Sequence, residues 1–77
     1  MDVLSELEKS ILAKIPDANV KVAPGSGGHF SIEVVSPVFA GKSMLESQRL
    51  VYGAIAHLMK GDGAPVHAVD SLKTRAP

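Results

Sequence analysis

Histidines are the side chains of this chain whose type and setting best suit chemistry. His67 lies in the short apolar segment Val66–Val69, His29 follows a glycine-rich stretch, and His57 lies in a predicted helix; the chain has no cysteine. Neutral imidazole is the commonest nitrogen ligand for borderline metals and iron. Because the chain has no cysteine, a metal or iron–sulfur site built from its own thiolates is excluded.

Each histidine could be a metal ligand or could have only a structural or solvent-exposed position. His57 lies off the apolar stripe of its helix, which favours a solvated surface ring. His29 begins a predicted strand, points away from the core face and borders the glycine loop, so it is either an exposed loop residue or a ligand. His67 points away from the face that Val66 and Ala68 share. It is either a half-buried ring bonded to backbone or a ligand.

Two short motifs resemble phosphate-binding loops, but their contexts differ. Gly25-Ser26-Gly27-Gly28 fits the Gly-x-x-Gly of a nucleic-acid clamp, yet it joins two predicted strands, which favours a hairpin turn. Gly41-Lys42-Ser43 resembles the end of a P-loop, yet Ser36 occupies the place of the first glycine. Ser43 is better explained as a helix cap. No nucleophile–base set is apparent, so we do not expect an enzyme.

Hydrophobic periodicity predicts two helices and three strands. The predicted elements are a helix over 3–15, strands over 19–23 and 29–36, a helix from Ser43 to about Met59, and a strand over 65–72 with a short tail after Lys73. The glycine turn makes the first two strands an antiparallel hairpin, and the helix before the last strand suits a parallel crossover. The result is an α+β fold in one domain, 1–77, with a three-stranded mixed sheet and helices on one face.

Composition narrows the classes of partner. Eight basic and eight acidic residues among 77 give zero net charge, whereas nucleic-acid binding usually needs a clustered basic excess. No basic segment followed by an apolar run indicates a signal peptide, and the apolar stretches are too short to span a bilayer. We expect a soluble cytoplasmic protein without a membrane association.

Four segments, in order and at matching spacing, resemble the BolA-like protein family, and most of all its short bacterial, YrbA-type branch. They are Gly28-His29-Phe30, Phe39-Ala40-Gly41-Lys42-Ser43, Gln48-Arg49-Leu50-Val51-Tyr52-Gly53, and Val66-His67-Ala68-Val69 with Lys73-Thr74 behind it. Each segment alone is weak evidence for the family, but the four together are specific for it, and they span nearly all of the chain. The family fold is helix–strand–strand–helix–helix–strand (αββααβ), similar to a KH domain of the second type, which agrees with the predicted order.

The resemblance implies a non-enzymatic adaptor that binds a monothiol glutaredoxin and shares a bridging 2Fe–2S cluster with it and with glutathione. The implied roles are iron–sulfur cluster trafficking or iron and stress regulation. His67 would be one ligand, and the loop between the first two strands would supply a second. Some relatives have a cysteine where this chain has Ser26, so His29 is the expected second ligand, with another loop group left open. The isolated chain is expected to be a monomer with no bound cluster.

The alternative is a KH-like nucleic-acid-binding transcription regulator, with DNA as the partner. Arg49, Lys42 and Lys73 would then form one binding surface. Many relatives carry an Arg-His-Arg run where this chain has 47–49 as Ser-Gln-Arg, so only the last arginine is kept. The zero net charge and the few aromatic residues also count against this function.

Overall fold

The computed structural model describes residues 2–77, which form two α-helices and one three-stranded sheet. The elements are α1 (Val3–Lys14), β1 (Asn19–Pro24), β2 (His29–Val35), α2 (Met44–Ile55) and β3 (Ala68–Arg75). Single 3-10 turns, Pro37–Phe39 and Ala56–Leu58, lie before and after α2. The predicted α+β fold is confirmed, and the first of the two adjacent helices in the αββααβ order is here only one 3-10 turn.

The sheet is mixed, with strand order β1-β2-β3. Strands β1 and β2 pair antiparallel, and β2 and β3 pair parallel, as predicted. The parallel register runs from His29 opposite Ala68 to Val35 opposite Arg75, and it shifts by one residue after Phe30. Strand β3 therefore contains one extra residue, Asp70, which forms a β-bulge between Val69 and Ser71.

The core lies between the helices and one face of the sheet. Strand β2 shows the alternation of a half-buried strand, because Phe30, Ile32 and Val34 are buried while their neighbours are only partly covered. Helix α1 contributes Leu7 and Ile11, which are fully buried. The rest of the buried apolar set is Ile15, Phe39, Val51, Ala54, Ile55, Leu58 and Val66. The buried apolar residues of both helices therefore pack into the same core as β2.

Both helices begin at polar caps. The Asp2 carboxylate accepts from the Leu4 backbone N–H at 3.2 Å at the start of α1. Ser43 and Glu46 form the predicted capping box of α2, with both hydrogen bonds at 3.1 Å. The backbone N–H and the hydroxyl of Ser43 hold the pKa of the Glu46 carboxyl below its usual value.

The predicted bounds of β3 and α2 were wrong at several ends. Strand β3 covers 68–75 rather than 65–72, so His67 precedes the strand instead of lying inside it, and the segment after Lys73 continues in the sheet to Arg75. Pairing explains the shift, because β2 continues to Val35 and the Ser36 backbone N–H donates to the Arg75 carbonyl at 3.0 Å. The regular helix α2 ends at Ile55, and its predicted last turn is a 3-10 turn.

None of the helices found between residues 2 and 77 is both long and apolar enough to cross a membrane.

Candidate functional site

The glycine loop between β1 and β2 meets the segment that leads into β3. The His67 backbone N–H donates to the Gly28 carbonyl at 2.9 Å. Gly28 has φ of 80°, a conformation that suits glycine. A Cβ atom built on Gly28 would lie 3.0 Å from His67 Cγ and 3.2 Å from Cδ2. The imidazole ring of His67 therefore lies directly against the Gly28 backbone, and any side chain at position 28 would push it away.

His67 is exposed, although the residue before it, Val66, is buried at 1% relative exposure. The buried valine anchors the chain, since its backbone N–H also donates to the Leu58 carbonyl at 3.1 Å. An anchored backbone with an exposed imidazole is an arrangement that can present a ring nitrogen to another molecule. The alternative of a half-buried ring is not what the structure has, while the role of His67 as a ligand stays a prediction.

His29 lies at the first position of β2, opposite Ala68. Because Ala68 directly follows His67, both histidines lie at the same end of the sheet in neighbouring segments. The side chain of His29 is 44% exposed, and its Nδ1 atom lies 2.7 Å from an Asp70 carboxylate oxygen. The loop that carries His29 is closed by the Gly25 backbone N–H, which donates to the His29 carbonyl at 2.7 Å.

Asp70 is the site residue that the sequence analysis missed. Phe30 pairs with Val69 and Ser31 with Ser71, so Asp70 is the extra residue of the β-bulge and has no register partner. A signal was present in the sequence, because Asp70 and Ser71 are two consecutive polar residues between Val69 and Leu72 and so break the alternation of the strand. Such a break indicates a bulge, but it does not reveal which side chain the bulge will face.

The third histidine belongs to a different surface. His57 lies in the 3-10 turn after α2, is exposed as predicted, and its Nε2 atom lies 3.3 Å from the Ser10 hydroxyl of α1. Its ring therefore lies between the two helices rather than at the end of the sheet. Nowhere in the described range 2–77 do three or more His, Cys, Asp or Glu side chains form a group that could hold a metal ion.

The three basic residues of the nucleic-acid alternative do not form one surface. Lys42 and Arg49 line one surface hollow with Lys14, next to the N-terminal half of α2. Lys73 instead lies opposite Glu33 in the sheet register, on the outer face that the helices leave uncovered. The expectation that Lys73 joins the other two was therefore wrong, because strand alternation places its side chain on the opposite side of the sheet from the helices.

Sequence comparison identifies the family. The model of the family described as BolA-like protein matches residues 6–77, and the chain belongs to this family. It is 45% identical over 56 residues to human BolA-like protein 1, which covers 73% of this chain and 38% of that protein. It is 35% identical over 75 residues to Protein BOLA2 of Arabidopsis thaliana, which covers 94% of this chain and 76% of that protein. The chain thus spans well under half the length of the human relative.

Solved structures agree with this assignment. The structure of a BolA protein homologue from Coxiella burnetii has a TM-score of 0.78 at 35% identity, covering 100% of this chain and 94% of that one. A BolA-like protein from Babesia bovis has a TM-score of 0.79 at 34% identity, covering 96% and 84%. The BolA domain of SufE1 from Arabidopsis thaliana, at 22% identity and a TM-score of 0.79 over 100% of this chain and 94% of that one, shares the fold.

Proposed function

We propose that this chain is a non-enzymatic BolA-like adaptor that binds a monothiol glutaredoxin and supplies His67 and His29 to one iron of a bridging 2Fe–2S cluster. Its cellular role would be iron–sulfur cluster trafficking or iron and stress regulation. The observation that carries the proposal is the exposed ring of His67 against Gly28, next to the strand that begins with His29.

The donor chemistry fits such a cluster. In Rieske centres two histidines replace two cysteines on one of the two irons, so a pair of imidazoles is a known donor set for half of a 2Fe–2S cluster. This chain has no cysteine and cannot supply the thiolates for the other iron. The partner's cysteine and glutathione would supply them, and the cluster would be cargo held between two molecules.

The fold supports the proposal by holding both histidines on paired backbone. His67 is tied to the glycine loop through its backbone N–H, and His29 is tied to the other end of that loop through its carbonyl. His29 belongs to a strand, and a regular element holds a site residue more accurately than a free loop does. His67 lies just before β3 and is held instead by its backbone hydrogen bond to Gly28. The two histidines therefore lie at neighbouring backbone positions, at the end of the sheet where the parallel pairing of β2 and β3 begins.

The test mixes the protein with a monothiol glutaredoxin that carries a glutathione-bound 2Fe–2S cluster and records visible circular dichroism. Wild type should change the cluster spectrum, and His67→Ala should abolish that change. His57→Ala is the matched control, because it removes an exposed imidazole from the helical side of the molecule. A spectrum that wild type leaves unchanged, or that His67→Ala changes as fully as wild type does, contradicts the proposal.

A second candidate function is DNA binding. Three cationic side chains, those of Lys14, Lys42 and Arg49, line one hollow and favour it, while the Glu46 carboxylate in the same hollow opposes it. Each neutralised phosphate contributes about −0.9 to the slope of log K against log salt. If the hollow binds DNA, the double variant Lys42→Ala/Arg49→Ala should make that slope shallower by about 1.8. Lys73→Ala on the outer sheet face is the control and should leave it unchanged. Equal slopes for all three proteins would exclude this surface.

A further inference from the structure

We infer that Asp70 is a positioning residue, which keeps the proton of the neutral His29 ring on Nδ1 so that Nε2 is free to bind iron. This inference rests on the proposed function. Its first support is the distance of 2.7 Å between His29 Nδ1 and the Asp70 carboxylate oxygen, which is short for a nitrogen–oxygen hydrogen bond and typical of one to a charged acceptor. An ionised carboxylate can only accept, so in this bond the ring nitrogen donates.

The position of Asp70 in β3 is the second support. In a regular parallel strand the residue after Val69 would pair with Ser31, but Ser71 takes that place and Asp70 is the unpaired residue of the bulge. Bulges turn a side chain towards a site that regular pairing would not reach. Here the bulge falls beside the start of β2, and the other Asp70 carboxylate oxygen lies 3.6 Å from a Cβ atom built on Gly25.

The chemical consequence concerns which nitrogen has a lone pair. A neutral imidazole has one protonated nitrogen and one acceptor nitrogen, and only the acceptor can bind a metal. In free histidine the neutral ring favours the proton on Nε2, which would block that nitrogen. A carboxylate that accepts from Nδ1 reverses this preference and fixes the orientation of the ring, as partners of metal-bound histidines generally do.

A simple surface ion pair is the competing explanation. The two side chains are 44% and 54% exposed, and an exposed pair of this kind is worth little for stability. In a simple ion pair, Asp70 would attract the His29 ring only while both ring nitrogens are protonated and the ring is positively charged. The two explanations therefore differ in what they expect of the neutral His29 ring. A positioning role for Asp70 requires the proton to be on Nδ1, whereas a simple ion pair sets no preference between the two nitrogens.

The first measurement uses the free 77-residue chain and needs no cluster. Nitrogen-15 shifts of the His29 ring, from long-range proton–nitrogen correlation at alkaline pH, report which nitrogen is protonated. Wild type should have the proton on Nδ1, and Asp70→Ala should move it to Nε2. Asp62→Ala, which removes an exposed carboxylate from the loop before β3, is the matched control and should behave as wild type. A wild-type ring protonated on Nε2, or a ring that Asp70→Ala leaves unchanged, overturns the inference.

The second measurement titrates the same three proteins into the glutaredoxin–glutathione 2Fe–2S cluster by visible circular dichroism. Asp70→Ala should need about tenfold more protein than wild type for half-saturation, since loss of a ligand's carboxylate partner costs about 10–100-fold. Asp62→Ala should match wild type. If Asp70→Ala binds as tightly as wild type, the inference fails while the proposed function stands. If wild type itself gives no change, the proposed function fails, and the role of Asp70 fails with it.

Discussion

At the scale of single residues, the contact between Gly28 and His67 sets the geometry of the proposed site. The backbone of Gly28 has φ of 80°, and its missing side chain leaves the space where the His67 ring lies. Both facts require glycine at this position, the first for backbone conformation and the second for close approach. The proposed site therefore depends on glycine at position 28 as well as on the two imidazole rings.

We predict that Gly28→Ala destabilises the protein by about 1–3 kcal/mol, because a non-glycine residue is strained at this φ and the new Cβ would collide with the His67 ring. The free energy of unfolding in urea measures the loss, and the ring resonances of His67 should shift in the same variant. Gly63→Ala is the control, since a Cβ there meets nothing within 4 Å. Equal stability of the two variants would contradict the prediction.

The sequence indicates His29 and His67 as candidate ligands, but it does not reveal what surrounds them. His29 and His67 were recognisable from their types, their neighbours and the family resemblance. The bond from His29 to Asp70 was not, because it depends on a bulge that changes the register by one residue between β2 and β3. A single sequence encodes alternation along one strand, whereas register depends on the partner strand as well.

At the scale of the elements, helix α2 shows which predictions depend on local chemistry. The Ser43–Glu46 capping box was predicted from residue types three apart and is confirmed. The C-terminal end of α2 was predicted less well, because that end depends on packing rather than on a local cap. Strand β3 differed most, since its last residues, Thr74 and Arg75, are polar and only their pairing with β2 makes them part of the sheet.

The capping box makes a prediction about acid. Because the hydrogen bonds from Ser43 lower the pKa of Glu46 in the folded state, the ionised carboxylate stabilises the fold. This contribution is complete at a pH well above the ordinary glutamate pKa of the unfolded chain, declines as the pH falls through that range, and is lost once the pH is below the pKa of the folded state. Glu46→Gln should therefore weaken the loss of stability on acidification. Urea unfolding between neutral and acidic pH measures it, and identical pH curves for both proteins would refute the prediction.

Helix α2 also contains a glycine with no structural requirement. Gly53 lies in the exposed part of the helix, and a Cβ atom there would meet nothing within 4 Å. Glycine in a helix interior costs about 1 kcal/mol relative to alanine. We predict that Gly53→Ala raises the free energy of unfolding by up to about that amount. Thermal unfolding by circular dichroism would show this as a higher Tm, and a lower Tm would mean that the glycine has a role that packing does not reveal.

At the scale of the whole molecule, the two halves of the chain are joined at both ends of the parallel pair β2 and β3. At one end, the glycine loop meets His67 and carries the proposed site. At the other end, Ser36 follows β2 and is fully buried. Its hydroxyl donates to the Asp17 carboxylate at 3.1 Å and accepts from the Val38 backbone N–H at 3.2 Å. The Ser36 hydroxyl thus connects the segment after α1 with the 3-10 turn before α2. The backbone N–H of the same residue bonds the end of β3 by donating to the Arg75 carbonyl.

We predict that Ser36→Ala destabilises the whole fold by about 1–3 kcal/mol, because it removes both bonds of a buried hydroxyl and leaves the Val38 N–H without its acceptor. Ser71→Ala is the matched control, since Ser71 is exposed in β3 and its loss should cost no more than about 0.5 kcal/mol. Urea unfolding followed by far-ultraviolet circular dichroism compares the two variants. The glutaredoxin titration of Ser36→Ala, carried out below its unfolding transition, should still match wild type, because the serine lies at the opposite end of the parallel pair from His29 and His67. A variant as stable as Ser71→Ala would show that the hydroxyl is not needed to hold these segments together.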